Sequence, residues 1–127
     1  MSDFNQENNR LVWFDIPVAN LDRASAFYSA VLGIGVSKEQ FDNFTFCVFA
    51  HGDGNGGCLI EKAADVTEKG ILCYFNVDKR IKAAVDAVEK NGGRIVEGVH
   101  SLGPHGFRAI VIDSEGNRIA LHSMTDS

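Results

Sequence analysis

Proline is scarce in this chain, two residues among 127 against thirteen glycines, which excludes a proline-rich linker. Long apolar runs are missing too: charges or glycines interrupt them within a few residues, far short of the roughly 20 needed to cross a bilayer. No membrane span is expected. Basic side chains are outnumbered, twelve lysines and arginines against seventeen aspartates and glutamates, and the formal charge of −5 repels phosphate backbones. No nucleic-acid partner is expected. Cysteine is limited to Cys47, Cys58 and Cys73, an odd number without C-x-x-C spacing, which fits reduced, buried thiols rather than a disulfide framework. Residues 1–10 form a polar arm with neither the basic start nor the apolar middle of a secretory signal, so a cytoplasmic location is expected.

Several nucleotide and nucleophile motifs are also absent. There is no Gly-Lys-Ser/Thr phosphate loop and no Gly-x-Ser-x-Gly elbow. Gly52-x-Gly54-x-x-Gly57 matches the letters of the dinucleotide fingerprint, but a strand-like segment follows it, whereas pyrophosphate binding needs a helix N-terminus there. The glycines read as a hairpin tip.

What is present is a soluble balance, 45% hydrophobic and 23% charged residues, in a length that suits one domain. Leu11 to Val18 reads as a strand with Val12, Phe14, Ile16 and Val18 on one face and Trp13 and Asp15 on the other. Asn20 is a helix N-cap, and Leu21, Ala24, Phe27, Tyr28, Val31 and Leu32 recur at helical spacing until Gly33 and Gly35. Phe44–Ala50 and Cys58–Glu61 read as a hairpin. The order then repeats: Ile71–Val77 as strand, Asp78 as cap, Ile81, Ala84, Val85 and Val88 on a helix face, and Arg94–Val99, Phe107–Ile112 and Arg118–His122 as strands, the last two joined by the turn Asp113–Asn117.

The halves align without gaps, Val18 on Val77, Gly33 on Gly92, Ala50 on Ala109 and Ile60 on Ile119. The expected class is α+β: two tandem βαβββ modules, 11–62 and 70–123, in a single domain over 11–127. Neither module buries its sheet alone, so eight strands are expected to curve around a shared cavity with the helices outside.

Trp13-Phe14-Asp15-Ile16-Pro17-Val18-Ala19-Asn20-Leu21-Asp22-Arg23-Ala24, with Phe27-Tyr28 and Leu32-Gly33 behind it, resembles the opening of the glyoxalase, bleomycin-resistance and extradiol-dioxygenase superfamily, also called vicinal oxygen chelate proteins. Asp113-Ser114-Glu115-Gly116-Asn117-Arg118-Ile119-Ala120-Leu121 is similar to its closing strand pair, and the two ends together look most like its lyase-related branch. The scaffold serves lyases, epimerases, dioxygenases and sequestering proteins, so the resemblance specifies fold more than chemistry. It implies metal ligands on the first and last strand of each module. Here those positions align with Trp13, Glu61, Leu72 and Ala120, of which only Glu61 offers a donor; no metal and no other cofactor are expected, nor metal-dependent glyoxalase activity. The resemblance also implies a homodimer.

The expected ligand is a small amphipathic or aromatic molecule in the inter-module cavity, with Trp13, Leu72, Tyr74, Asn76, Ala120 and Arg108 as its contacts. Under the alternative, a lyase or isomerase, Glu61 or Asp15 abstracts a proton and His122 assists. Each has a plainer alternative. Asp15 suits a solvated edge, Glu61 and Asp15 suit ion pairs with Lys62 or Arg118, and His122 suits a backbone hydrogen bond at a strand end. Trp13, Leu72 and Tyr74 suit ordinary core, and Arg108 or Arg118 a solvated face. His100 and His105 fall where a loop could cover the cavity mouth. A third reading is a regulatory subunit with a vestigial cavity.

Overall fold

A computed structural model describes residues 9–127, so the polar arm expected over 1–10 falls almost wholly outside the described residues. The first helix follows from local signals. Asn20 accepts a hydrogen bond from the Arg23 N–H at 2.9 Å, which opens α1 (Leu21–Leu32), and the six residues expected on its apolar face are the six it buries. Phe27 and Tyr28 are fully buried, and each contributes roughly 1.5–3 kcal/mol by leaving water.

Strands β1 (Asp15–Val18), β2 (Val36–Phe41), β3 (Phe44–Phe49) and β4 (Cys58–Glu61) surround that helix in sequence. β1 is shorter than expected, beginning at Asp15 rather than Leu11. Its preceding residues cross the glycine loop instead: the Asn55 side chain donates to the Leu11 carbonyl, and Phe14 lies so close to Gly57 that a Cβ there would sit 2.5 Å from the ring. β2 was not expected. Most of its residues are exposed, so it carries no apolar alternation.

The second module contains β5 (Cys73–Asn76), α2 (Ile81–Lys90), β6 (Arg94–Ser101), β7 (Phe107–Ile112) and β8 (Arg118–Ser123). Asp78 does not cap α2. Lys79 turns through a left-handed φ of 66°, the helix starts beyond Arg80, and the Asp78 carboxylate accepts from the Met124 N–H at 2.7 Å and Ser123 Oγ at 3.2 Å.

The α+β class and the tandem βαβββ order stand as expected. The strands, however, divide between two four-stranded sheets, β1-β4-β3-β2 and β5-β8-β7-β6, rather than one curved sheet of eight. The helices touch each other, and the helix-bearing faces of both sheets meet in one core, where Phe75 packs 5.5 Å from Tyr28, 5.6 Å from Phe14 and 5.9 Å from Phe49 between ring centres. Two apolar sheet faces and two amphipathic helices bury more surface against one another than either module buries alone. The opposite, helix-free face of each sheet is left open.

A clasp joins the modules. The buried Asp113 carboxylate accepts the Tyr28 hydroxyl at 2.6 Å and the N–H groups of Glu115, Gly116 and Asn117 at 2.8–2.9 Å. Glu115, its side chain inaccessible to solvent, accepts the Ala19 and Asn20 N–H groups and pairs with Arg23 at 2.7 Å, while the Asn117 amide donates to the Pro17 carbonyl at 2.8 Å.

Strand register corrects the alignment of the halves. β2 and β3 are joined by Asp42-Asn43, but β6 and β7 by Leu102 to Gly106, three residues longer. The gapless offset therefore holds for β1 and β5 and fails after β6. Cys58, not Glu61, is the counterpart of Ala120: Cys58 pairs with Asp15 in the first sheet as Ala120 pairs with Tyr74 in the second.

Candidate functional site

Side chains alternate across a strand, and directly paired residues on neighbouring strands point to the same side. On the helix-free face of the second sheet this rule builds two rows. One is Tyr74, Ala120 and Ile110; the next is Asn76, His122, Arg108 and His100, one residue from each of the four strands. Five of the nine candidates therefore come together on one face: Tyr74, Asn76, Ala120, His122 and Arg108. His100 sits in β6 rather than on a covering loop.

Their contacts orient them. Arg108 Nε–H donates to His100 Nε2 at 3.1 Å, and its Nη1 donates to the Tyr74 hydroxyl at 2.8 Å. His100 Nδ1 lies 2.8 Å from the Gly98 carbonyl, which can only accept, so Nδ1 carries the proton and Nε2 offers its lone pair to Arg108. By the same logic His122 Nε2, 2.7 Å from the His105 carbonyl, is protonated. That is the strand-end backbone bond foreseen as its plainer role. The loop reaches His122 because Gly106 adopts φ 95°, and a Cβ there would sit 2.5 Å from the Ser123 carbonyl.

A cavity of about 570 Å³ opens over this row, lined by Tyr74, Phe75, Asn76, Leu102, His105, Arg108 and His122. A second, of about 690 Å³, lies between the modules and shares Tyr74, Phe75 and Asn76 with it, the rest of its wall coming from Phe14, Ile34, Phe49 and the loop 50–57. Phe75, Leu102 and His100 were not among the expected contacts. The pairing of His100 with Arg108 depends on the bulged register of β6.

The remaining candidates lie elsewhere. Trp13 and Asp15 share the helix-free face of the first sheet beside Phe44, Phe46, Val48, Cys58 and Ile60, around a hollow of about 270 Å³. Asp15 is exposed, and its Oδ1 accepts from Trp13 Nε1 and Cys58 Sγ, each at 3.2 Å. Burial first, then the Asp15 hydrogen bond and charge, push the Cys58 thiol up to about 12. Leu72 precedes β5, half-buried. Glu61 is exposed and on the other side of its sheet, with the parity of the core residue Leu59, in a hollow beside Ala19, Asp22, Lys38 and Thr45. The ion pairs foreseen for it are otherwise engaged: Lys62 reaches Asp65 at 3.4 Å, and Arg118 donates to the Gly70 carbonyl at 3.1 Å.

These residues do not fit a metal ion. The inner positions on or just before the first strand and on the last strand are Trp13, Asp15, Cys58 and Ile60 in one module and Leu72, Tyr74, Ala120 and His122 in the other. The one carboxylate among them already accepts two hydrogen bonds, and the one imidazole is committed to a backbone carbonyl. Among the described residues no group of three or more His, Cys, Asp and Glu is placed to hold an ion.

Residues 10–121 match the glyoxalase/bleomycin resistance protein/dioxygenase superfamily. A glyoxylase-like domain-containing protein of Didymella fabae is 36% identical over 121 residues, 84% of this chain and 88% of that protein. Among solved structures, a hypothetical protein from S. aureus superposes with a TM-score of 0.72 at 20% identity, covering 93% of this chain and 96% of that one. A glyoxalase/bleomycin resistance protein from Albidiferax ferrireducens superposes with a TM-score of 0.72 at 18% identity, covering 91% and 98%.

Proposed function

The chain belongs to the glyoxalase/bleomycin resistance protein/dioxygenase superfamily, and from that premise we propose that it binds a small amphipathic or aromatic molecule on the helix-free face of its second module, without a metal. The observation that carries this reading is the pair of adjoining cavities sharing Tyr74, Phe75 and Asn76, each of a size usual for small-molecule sites. Aromatic and aliphatic walls supply affinity, and the few polar groups are already oriented by neighbours, which lowers the entropic cost of binding.

A lyase or isomerase driven by a carboxylate base has less support, because among the described residues no Asp or Glu lines either cavity. The protein works as a homodimer in the cytoplasm. Support for the dimer is the apolar helix-free face of the first sheet, where Phe44 is 49% exposed and Phe41, at the end of β2, 73%. The cytoplasmic placement is supported by three unpaired cysteines. Among the described residues no helix is long and apolar enough to cross a membrane.

Heteronuclear NMR with a set of aromatic alcohols, amides and acids tests the binding reading. Shifts clustering at Tyr74, Asn76, Leu102, His105, Arg108 and His122 are expected; shifts confined to the Trp13 face, or none at millimolar concentration, would overturn it. Light scattering that returns the mass of one chain at micromolar concentration would remove the dimer.

A further inference from the structure

Arg108 has no carboxylate partner among the described residues, unlike Arg23, Lys38, Lys62 and Arg94, which pair with Glu115, Asp22, Asp65 and Glu68. It is half-buried in a cavity wall, in a chain whose acidic groups outnumber its basic ones, and its two partners are neutral. A guanidinium in such a place retains unused donors and an uncompensated charge.

Two polar groups beside it present donors as well. The Tyr74 hydroxyl accepts from Arg108, so its own proton is free to be given. Asn76 Oδ1 accepts the Asp78 N–H at 2.8 Å, which leaves the amide NH2 as its free end. Among the described residues no acidic side chain lines the cavity, and Phe75 and Leu102 give it an apolar wall.

We propose that the ligand of this cavity is an amphipathic anion, an aromatic or alkyl carboxylate whose charged end is held by Arg108, Tyr74 and Asn76 and whose apolar body lies against Phe75 and Leu102. The inference rests on the binding reading above and adds the sign and place of the ligand's charge. His100 is a positioning residue: by accepting Arg108 Nε–H it turns the Nη edge of the guanidinium toward Tyr74 and the cavity. A carboxylate offers two oxygens to these three donors.

Matched probes separate this proposal from the one beneath it. The full chain is titrated near neutral pH with 3-phenylpropanoate against 3-phenylpropanamide, and 1-naphthoate against 1-naphthamide, following the Arg108 Nε–H and the backbone amides of the cavity. Each acid is expected to bind at least about tenfold more tightly than its amide, an acid-to-amide ratio that is lost in Arg108→Gln and reduced roughly threefold or more in Tyr74→Phe. Equal affinity of acid and amide in the wild-type chain overturns the anion proposal and leaves the binding reading standing. If no probe binds at millimolar concentration, both fall. An Arg108 signal that responds to protein concentration and not to acid assigns the guanidinium to a second copy's carboxylate and also overturns the proposal. Because the acid–amide comparison is made on the wild-type chain, it stands even if Arg108→Gln does not fold.

Discussion

In the first module the row Pro17, Ile60, Phe46 and Glu39 crosses the helix-free face; at the corresponding place in the second module stand Asn76, His122, Arg108 and His100. One row is largely apolar and the other wholly polar. The opposite faces differ far less: Ile16 and Phe75, Val18 and Val77, Cys47 and Ala109, Leu59 and Leu121, and Phe49 and Val111 occupy equivalent places, and all are buried. The helix-bearing faces share one core and are held to apolar residues by packing, whereas a change on an open face costs little stability. Function is free to diverge there.

The comparison breaks most severely at the shared core. Tyr28→Ala removes a ring that touches both sheets and leaves the buried Asp113 carboxylate without its hydroxyl donor, so a loss of about 4 kcal/mol or more is expected in urea unfolding. A loss below about 1 kcal/mol would mean that the modules do not depend on this contact.

The clasp offers a second break. Glu115→Gln should cost about 2 kcal/mol near neutral pH, since the carboxylate accepts four hydrogen bonds from the first module. Burial alone would raise the Glu115 pKa, but the Arg23 pair, the Ser114 hydroxyl and the two backbone N–H groups outweigh it and hold the group below its usual 4.5. A depressed carboxylate contributes stability that is complete above its unfolded value and lost as the pH falls through the folded one. The melting-temperature gap between wild type and Glu115→Gln should therefore be constant from pH 7 to about 5 and shrink below about 4.5; a gap independent of pH would contradict the clasp.

Giving the first module its counterpart's residue, Cys58→Ala, is expected to cost about 1 kcal/mol, the loss of a small buried side chain. In the native chain the raised thiol pKa predicts negligible labelling of Cys58 by iodoacetamide at pH 8; fast labelling would refute the environment described. The smallest effect belongs to Glu61→Gln, within about 0.5 kcal/mol in stability and with unchanged cavity binding, because the side chain is exposed on the far side of its sheet. A measurable loss of probe affinity would return Glu61 to the site.

How much of this was legible depended on how local the signal was. α1 could be read from its cap and its six apolar positions because a helix satisfies its own backbone within four residues. β2 could not, since an edge strand with exposed residues has no pattern to show. Glu61 was misplaced through turn length: the extra residues between Leu102 and Gly106 shift β7 and β8 against the first half, and a shift of odd length exchanges the faces of a strand. Tyr74 and Asn76 share a face by alternation, which survives such a shift within each strand.

By itself the sequence determined the class of elements, their repeated order and the residues that face a core, because hydrophobic periodicity and capping act over a few neighbouring positions. Only tertiary structure decided that the helix-bearing faces of the two sheets turn toward each other, which leaves two separate open faces, and that Asn76, His122, Arg108 and His100 line up across four strands. Those outcomes depend on strand register and on apolar surfaces brought together from distant parts of the chain, and neither is encoded in any single stretch of it.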